Sequence, residues 1–346
     1  MTNKTYQWAV IGAGPAGIAA LGKLLDLGVP EKQIAWIDPG FTVGDLGAKW
    51  QHVSSNTRVD LFLKFLQGYA AFEYDKCPHT YPLHQLDKEA TCLLKYAVEP
   101  LAWVTARLQA KVATFNSLAL KLKMQHGHWQ VTLENDNIQS KNVVLAVGSE
   151  PRVMDSPVPV IPLTDALDAQ RLQKWVDASD TVAVYGASHS AIIVVRLLLE
   201  LGVKQVINFY QSPLRFAVYL PDFILFDNTG LKGETAKWAR EHIDGKLSDR
   251  LLRVWSNDEN TKAYLPQCSK SVQAIGFNRR NIPIEGLPVV TYNDKSGIIA
   301  PGLFGSGIAF PETTVDPFGN VESSVGLWKF MNYLNRVVPV WQRYGV

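Results

Sequence analysis

Trp8-Ala9-Val10-Ile11-Gly12-Ala13-Gly14-Pro15-Ala16-Gly17 decides the fold. An apolar run enters a glycine turn spaced G-x-G-x-x-G, and apolar positions then recur at three and four from Ala16 to Leu27, until Gly28 ends the pattern. Residues 6–11 predict a buried strand, Ala16 to Leu27 a helix, and Ile34–Ile37 a second strand closing on Asp38: a βαβ unit of ordinary length. The chemistry behind this pattern is pyrophosphate binding. Gly12 permits the tight turn, Gly14 lets phosphates approach the backbone, and Gly17 lets helix and strand pack closely. Pro15 and Ala16 open the helix, whose N-terminus offers free N–H groups and positive partial charge. Asp38, about 20 residues beyond Gly17 and followed by Pro39, is placed to accept hydrogen bonds from ribose hydroxyls.

A second such turn follows much later. Gly186-Ala187-Ser188-His189-Ser190-Ala191 stands directly behind the apolar run Thr181 to Tyr185 and opens another amphipathic helix. Ser188 replaces the middle glycine, and its hydroxyl can donate to a phosphate. Ala191 is an accepted third residue. His189 reads as a surface or phosphate-edge residue, with Ser190 beside it. The strand after this helix ends near Phe209-Tyr210-Gln211-Ser212 with no acid for a ribose 2′-hydroxyl, which favours NADP, and NADPH over NADH, with Ser212 and Arg215 facing the extra phosphate. The alternatives are a degenerate unit without a ligand, and an Arg215 that is merely a solvated loop residue. Two turns this far apart imply two dinucleotides held face to face, with electrons passing between them.

Composition narrows the class. The chain has 346 residues, about two domains' worth, and is 47% hydrophobic and 19% charged, enough to bury a large core. A net charge of +2 gives no argument for nucleic acid or an anionic membrane surface. The three cysteines, Cys77, Cys92 and Cys268, include no Cys-x-x-Cys pair and no metal-ligand spacing, and so few of them fit a reducing cytosol. The first apolar stretch lacks a cleavage pattern, and no run of eighteen apolar residues predicts a membrane span.

Between the turns, residues 50–82 read as irregular and rich in aromatics, and Leu86 to Leu108 as helical. Ala119 to Met124 and Trp129 to Leu133 flank Gln125-His126-Gly127-His128, a hairpin signal whose two histidines have no third metal ligand nearby. Asn142 to Val147 predicts a buried strand, and Pro151, Pro157, Pro159 and Pro162 a linker. Residues 216–271 read as an insert, with helices at Glu234 to His242 and Ser248 to Val254. Val272 to Ile275 and Leu303 to Gly305 read as strands, and Val325 to Val337 as a final helix.

With both turns placed, the chain resembles the flavoproteins built on two dinucleotide-binding domains, over nearly its whole length. Val144-Leu145-Ala146-Val147-Gly148 and Ala274-Ile275-Gly276-Phe277 are similar to that family's two Ala-Thr-Gly crossing segments. Gly302 to Ala309 is similar to its C-terminal flavin motif, with Gly307 kept and Ile308 standing where relatives carry an acid. The resemblance implies an α/β fold of two Rossmann-like domains. Residues 1–154 and 276–346 would bind FAD, and the inserted residues 155–275 would bind NAD(P)H. It adds Lys49, Trp50, Thr57, Val112, Ala146, Gly148, Gly276, Gly307 and Ile308 to the candidate cofactor contacts. It also aims a C-terminal helix beginning near Glu322-Ser323-Ser324-Val325 at the flavin.

Disulfide reductases of this fold need a cysteine pair that is absent here. Gly47 to Thr57 instead resembles the Trp and Ser-Asn-Thr region of flavin-containing and N-hydroxylating monooxygenases, which makes Asn56 the candidate catalytic residue. An amide donates without titrating; Asn56 also reads as a cap for a helix beginning at Thr57 or Arg58. The implied activity is oxygenation of a small nucleophilic nitrogen or sulfur substrate through a flavin hydroperoxide; Phe62, Phe65, Tyr69, Phe72 and Tyr74 read equally as walls of such a site or as plain core. Two alternatives stand beside it: a reductase handing electrons to a quinone, small molecule or protein, and a non-catalytic flavin- and NADP-binding module. A small-molecule substrate is expected, and the insert is a candidate lid, substrate wall or contact in a homo-oligomer.

Overall fold

The computed structural model describes residues 5–345. Strand β1 (Thr5–Ile11), helix α1 (Pro15–Asp26) and strand β2 (Ile34–Ile37) form the first βαβ unit. There follow α2 (Gly44–Ala48), β3 (Ser54–Arg58), α3 (Val59–Leu66), β4 (Thr91–Leu93), α4 (Lys95–Gln109), β5 (Ala113–Phe115), β6 (Ala119–Gln125), β7 (His128–Leu133) and β8 (Asn137–Leu145). Next come β9 (Ser149–Pro151), β10 (Val160–Ile161), α5 (Leu163–Ala166), α6 (Ala169–Leu172), β11 (Thr181–Tyr185), α7 (His189–Glu200) and β12 (Gln205–Tyr210). The remainder is β13 (Val218–Tyr219), β14 (Ile224–Leu225), α8 (Gly233–Ala239), β15 (Leu251–Trp255), α9 (Asp258–Tyr264), β16 (Lys270–Gln273), β17 (Phe277–Arg279), β18 (Ile298–Ala300), β19 (Leu303–Gly305), β20 (Glu312–Val315), β21 (Val321–Ser324) and α10 (Leu327–Tyr344).

Two sheets organise these elements. The first runs β18-β19-β8-β1-β2-β5, with the β6–β7 hairpin attached along β8; the second runs β10-β16-β11-β12-β15. The second is parallel throughout. Each glycine turn leaves the end of a central strand, β1 or β11. The chain passes from the first sheet to the second through β9 and returns through β17, and these two pair antiparallel as a ribbon.

Burial explains the layers. One face of the first sheet is covered by α1, α3, α4 and α10, where Trp8, Trp36, Phe65, Phe72 and Trp341 are fully buried. Phe304 stacks between Trp8 and Trp341, at 5.8 and 4.8 Å. Phe62, Phe65, Tyr69, Phe72 and Tyr74, which the sequence leaves open between active-site walls and core, all belong to this core. Burial of several aromatics, each worth roughly 1.5–3 kcal/mol or more, accounts for their density here.

Several expectations are corrected. Ser248 to Val254 is not a helix: Leu251–Trp255 is a strand paired in register with β12, with Leu251 and Val254 buried, so edge pairing outweighs local helix preference. With the start of β16 it also removes residues 251–255 and 270–271 from the supposed insert. The helix expected from Leu86 begins only at Lys95, because Thr91–Leu93 pairs with β3. Residues 50–82 are not irregular throughout, since they contain β3 and α3. Asn56 does not cap a helix: α3 begins at Val59 behind Arg58. Glu322–Ser324 is strand, and α10 starts at Leu327. α10 also runs past Pro339, which removes one backbone hydrogen bond. Buried Trp341, whose Nε1 donates to the Ser296 carbonyl at 2.5 Å, holds that last segment in place.

Asp180 ties the second sheet together ahead of β11. Its buried carboxylate accepts from Ser269 Oγ and Lys270 Nζ, each at 2.6 Å, and from the Asp177 N–H at 2.9 Å. Burial works to raise its pKa, but these partners outweigh burial and hold it below the usual carboxylate range. Asp180→Ala should cost about 2 kcal/mol, less than a fully buried pair because Lys270 is one-quarter exposed. The unfolded carboxyl titrates near ~3.9, so this contribution is present above about pH 4 and is lost as pH falls through the lower folded value. Thermal denaturation should therefore show wild type and variant separated above about pH 4 and converging as pH drops below it.

Candidate functional site

The site is built from the ends of β1 and β11. Gly12 has φ +107°, and a Cβ there would lie 2.3 Å from the Ala146 carbonyl oxygen. A Cβ on Gly17 would lie 1.9 Å from the Gly12 carbonyl oxygen. Gly14 is different: its nearest neighbour is the Gly44 Cα at 3.9 Å, so space is left above the turn. α1 has Gly14 at its cap, Pro15 in its first turn, and no side chain bonding its N-terminal N–H groups. Those donors are therefore available to an external acceptor.

Asp38 closes β2 beside this turn. Its carboxylate accepts from the N–H groups of Ala13 at 2.7 Å, Gly40 at 2.9 Å and Phe41 at 2.7 Å. Three of roughly four lone-pair directions are filled, which leaves capacity for one more donor. Pro39 is exposed beside it. The C-terminal motif packs onto the same place: Gly307 has φ +81°, and a Cβ there would lie 2.6 Å from Ala16 Cβ. Ser306, just before it, is fully buried, and its Oγ has no partner among the described residues. Ile308 is partly exposed on the following turn.

The second turn repeats the first. Gly186 has φ +123°, and a Cβ there would lie 2.4 Å from the Ala274 carbonyl oxygen. Ser188 stands at the cap of α7, again with no side-chain cap, and His189 and Ser190 begin the helix. Ala191 is buried behind them. Asn208, a polar residue inside an apolar strand, braces this turn: Nδ2 donates to the carbonyls of Val184 at 2.9 Å and Gly186 at 2.8 Å. Arg253 Nε donates to Asn208 Oδ1 at 2.9 Å. Sequence reasoning passed over both residues, although an amide within Val206 to Phe209 was the available signal.

Between the turns lies β3. Asn56 is exposed there and accepts a 3.4 Å hydrogen bond from Thr57 Oγ1. Ser54, two residues earlier, offers its carbonyl to His189 Nε2 at 2.9 Å. His189 is thus not the surface residue expected: its ring is turned inward across the junction of the two sheets. Burial, aided by Lys232, lowers its pKa below the ordinary value against the opposing pull of the Ser54 carbonyl. Lys49 pairs with Asp45 at 3.2 Å, and Asp45 also pairs with Arg280. Trp50 meets Phe277 edge-on at 6.0 Å. Gly148 and Gly276 lie on the crossing ribbon, where the N–H of Arg280 donates to Gly148 and that of Arg152 to Gly276.

One candidate, Val112, is not brought in. Val112 is a buried core residue ahead of β5, whereas Asp38 bonds Phe115 at that strand's other end, three residues or about 10 Å away. Ser212 and Arg215 lie just beyond β12; the exposed Arg215 guanidinium rests over Phe226 at 5.2 Å.

Residues 227–232, unreadable in sequence, form a strap onto the C-terminal segment. Asp227 pairs with Lys232 at 2.5 Å and Lys329 at 2.6 Å. Burial works to raise the Asp227 pKa, but the two ammonium groups outweigh burial and hold the carboxyl below its usual range. Glu322 accepts the N–H groups of Asn228 and Thr229, each at 3.1 Å. Alongside lies a cleft of about 370 Å³ between the β13–β14 and β20–β21 hairpins, floored by Lys329 and Arg336 of α10. A larger cleft, about 560 Å³, is lined by Tyr74, Cys77 and His84 on a different part of the surface. Among the described residues no cluster of three or more candidate ligands is arranged for a metal, and no helix is long and apolar enough to cross a membrane.

Comparison with known proteins agrees with this geometry. Residues 6–217 match the pyridine nucleotide-disulphide oxidoreductase family. A curated relative, the monooxygenase AgnR1 of Paecilomyces divaricatus, is 34% identical over an alignment covering 96% of this chain and 97% of the relative. A flavin-containing monooxygenase from Stenotrophomonas maltophilia shares the fold with a TM-score of 0.67 at 14% identity, covering 99% of both chains. The ornithine N-hydroxylase of Kutzneria sp. 744 does so with a TM-score of 0.64 at 14% identity, covering 98% of this chain and 99% of that one. The chain belongs to the pyridine nucleotide-disulphide oxidoreductase family and is an FAD- and NAD(P)-dependent oxidoreductase related to the flavin monooxygenases.

Proposed function

We propose that this protein is a flavin-dependent monooxygenase that uses NADPH in preference to NADH and oxygenates a small nucleophilic nitrogen or sulfur compound. The observation that carries the reading is Asn56, exposed on a strand that both halves of the molecule grip and close to a second, pyridine-nucleotide turn. In this reading residues 1–154 and 276–346 hold FAD and residues 155–275 hold NADPH. The residues at the first turn fit FAD: the cradle at Gly12 and Gly17 excludes side chains, Gly14 is open, the helix start is uncapped, and Asp38 retains one acceptor direction. Pro15, Ala16, Ala146, Gly148 and Gly307 complete that cradle, with Ser306 Oγ as an unused polar atom beside it. The second turn fits a nucleotide by two of these criteria: side chains are excluded at Gly186, and α7 starts uncapped behind Ser188.

Bound FAD supplies the redox chemistry, accepting hydride from the nicotinamide and delivering electrons to dioxygen. The chain's own residues position and shelter. Asn56 offers amide donors and an acceptor that do not titrate, so it can hold a polar oxygen without trading a proton. The strap at 227–232, fixed to α10, walls the 370 Å³ cleft, within the size range of small-ligand pockets. Ser212 and Arg215 supply a hydroxyl and a permanent positive charge where no acid stands, which favours the nucleotide carrying an extra phosphate. The three cysteines are unpaired, in keeping with a reducing compartment such as the cytosol.

Two outcomes check this reading without knowledge of the substrate. Asn56→Ala should keep its FAD and its anaerobic reduction by NADPH, yet release hydrogen peroxide in air about tenfold faster, the loss expected for one hydrogen bond. Peroxide release at the wild-type rate would remove Asn56 from the mechanism. Arg215→Ala should raise KM for NADPH by about tenfold and leave KM for NADH unmoved, measured by steady-state NAD(P)H oxidation.

A further inference from the structure

His189 faces two ways. Its backbone is the first helical residue of α7, directly after Ser188, so it belongs to the turn that a nucleotide pyrophosphate engages. Its side chain reaches across the molecule to the Ser54 carbonyl, 2.9 Å from Nε2. A carbonyl oxygen only accepts, so Nε2 carries the proton and the tautomer is fixed. Nδ1 is then a bare lone pair, buried and without a partner among the described residues. A second proton there would meet no acceptor and would face Lys232, whose side chain is itself buried. The ring is therefore a neutral donor with one available bond.

What lies beyond Ser54 is stiff. Ser55 Oγ donates to the Thr57 carbonyl at 2.7 Å and accepts the Cys92 N–H at 3.3 Å, bracketing Asn56 on both sides. β3 pairs with β4. α8 presses on β4 from the nucleotide side, where a Cβ on Gly233 would lie 2.2 Å from Thr91 Oγ1. A shift of the Ser54 carbonyl reaches Asn56 through a single residue, Ser55, which is buried and whose hydroxyl is held by Thr57 and Cys92.

We propose that His189 is a positioning residue that couples occupancy of the second glycine turn to the placement of Asn56. Nucleotide held at the start of α7 fixes the His189 backbone; the Nε2–H bond fixes Ser54; and β3 presents Asn56 in one orientation while the nucleotide stays bound. The inference rests on the role given to Asn56 above.

The test uses the FAD-loaded enzyme and peroxide release under air with NADPH. His189→Leu should raise that release by about tenfold, a larger change than in KM for NADPH, and His189→Gln, whose amide can donate to the same carbonyl, should restore it toward wild type. In the Asn56→Ala background, His189→Leu should add less than twofold, because both substitutions disable one unit. Fully additive effects, or no rescue by glutamine, would overturn the coupling. Asn56→Ala alone reports separately on the role of Asn56. If His189→Leu fails to fold, wild-type protein labelled with ¹⁵N-histidine decides the matter. A neutral Nε2–H resonance of His189 that shifts on addition of NADP⁺ supports the clasp, and one indifferent to NADP⁺ overturns it.

Discussion

One steric constraint is imposed twice, and the remainder of the molecule is arranged around it. At each nucleotide turn, a glycine with positive φ is pressed against the carbonyl oxygen of an alanine from a distant segment: Gly12 against Ala146 and Gly186 against Ala274. In both places that alanine's own N–H donates to the strand ahead of the turn, Ala146 to Ile11 at 2.8 Å and Ala274 to Tyr185 at 2.9 Å. The turn is therefore locked to the next parallel strand of its sheet, and no residue larger than glycine can stand at the contact. Because the alanines lie at the two places where the chain crosses between sheets, the turns and the crossings are set by the same few atoms.

That coupling fixes how the two halves face each other. The crossing strands β9 and β17 pair as a ribbon, and Val53 and Trp50 of the first half pack into the core of the second. The strap at 227–232 makes a second tie, through Asp227 to Lys329 and through Glu322 to Asn228 and Thr229. His189 makes the third. Charged ties of this kind add modestly to stability, since desolvation offsets much of their attraction. Their larger effect is geometric, because three separated anchors leave little freedom for one half to rotate against the other.

The parts legible in the sequence are those where backbone geometry demands a residue type. Gly12, Gly17 and Gly186 are legible because no side chain fits, Asp38 because a strand end next to a phosphate turn calls for an acceptor, and the alanine crossings only through their resemblance to a family's segments. The parts not legible depended on distant partners. Residues 251–255 carry helix-compatible residues but pair with β12, and Thr91–Leu93 leaves a helical pattern to pair with β3. The aromatic stretch from Phe62 to Tyr74 looks the same in sequence whether it lines a pocket or fills a core. The sequence reads His189 as a surface or phosphate-edge residue, and its inward contact is not legible because the partner is a backbone carbonyl 135 positions away, which no local pattern encodes.

The contrast between Ser188 and His189 shows how the second site differs from the first. At the first turn Gly14 keeps the space above the helix start empty, and the first turn of α1 packs through the small residues Ala16 and Gly17. At the second, Ser188 occupies the middle position and His189 follows with a side chain turned away from the turn, so the helix that meets the nucleotide also grips the strand carrying Asn56. A tightly held cofactor gains from a snug, inert cradle. A nucleotide that arrives, gives up hydride and leaves gains from a cradle whose occupancy is felt elsewhere. The two turns share a backbone, and the side chains on the second, rather than its glycines, distinguish a binding site that reports its state from one that only holds.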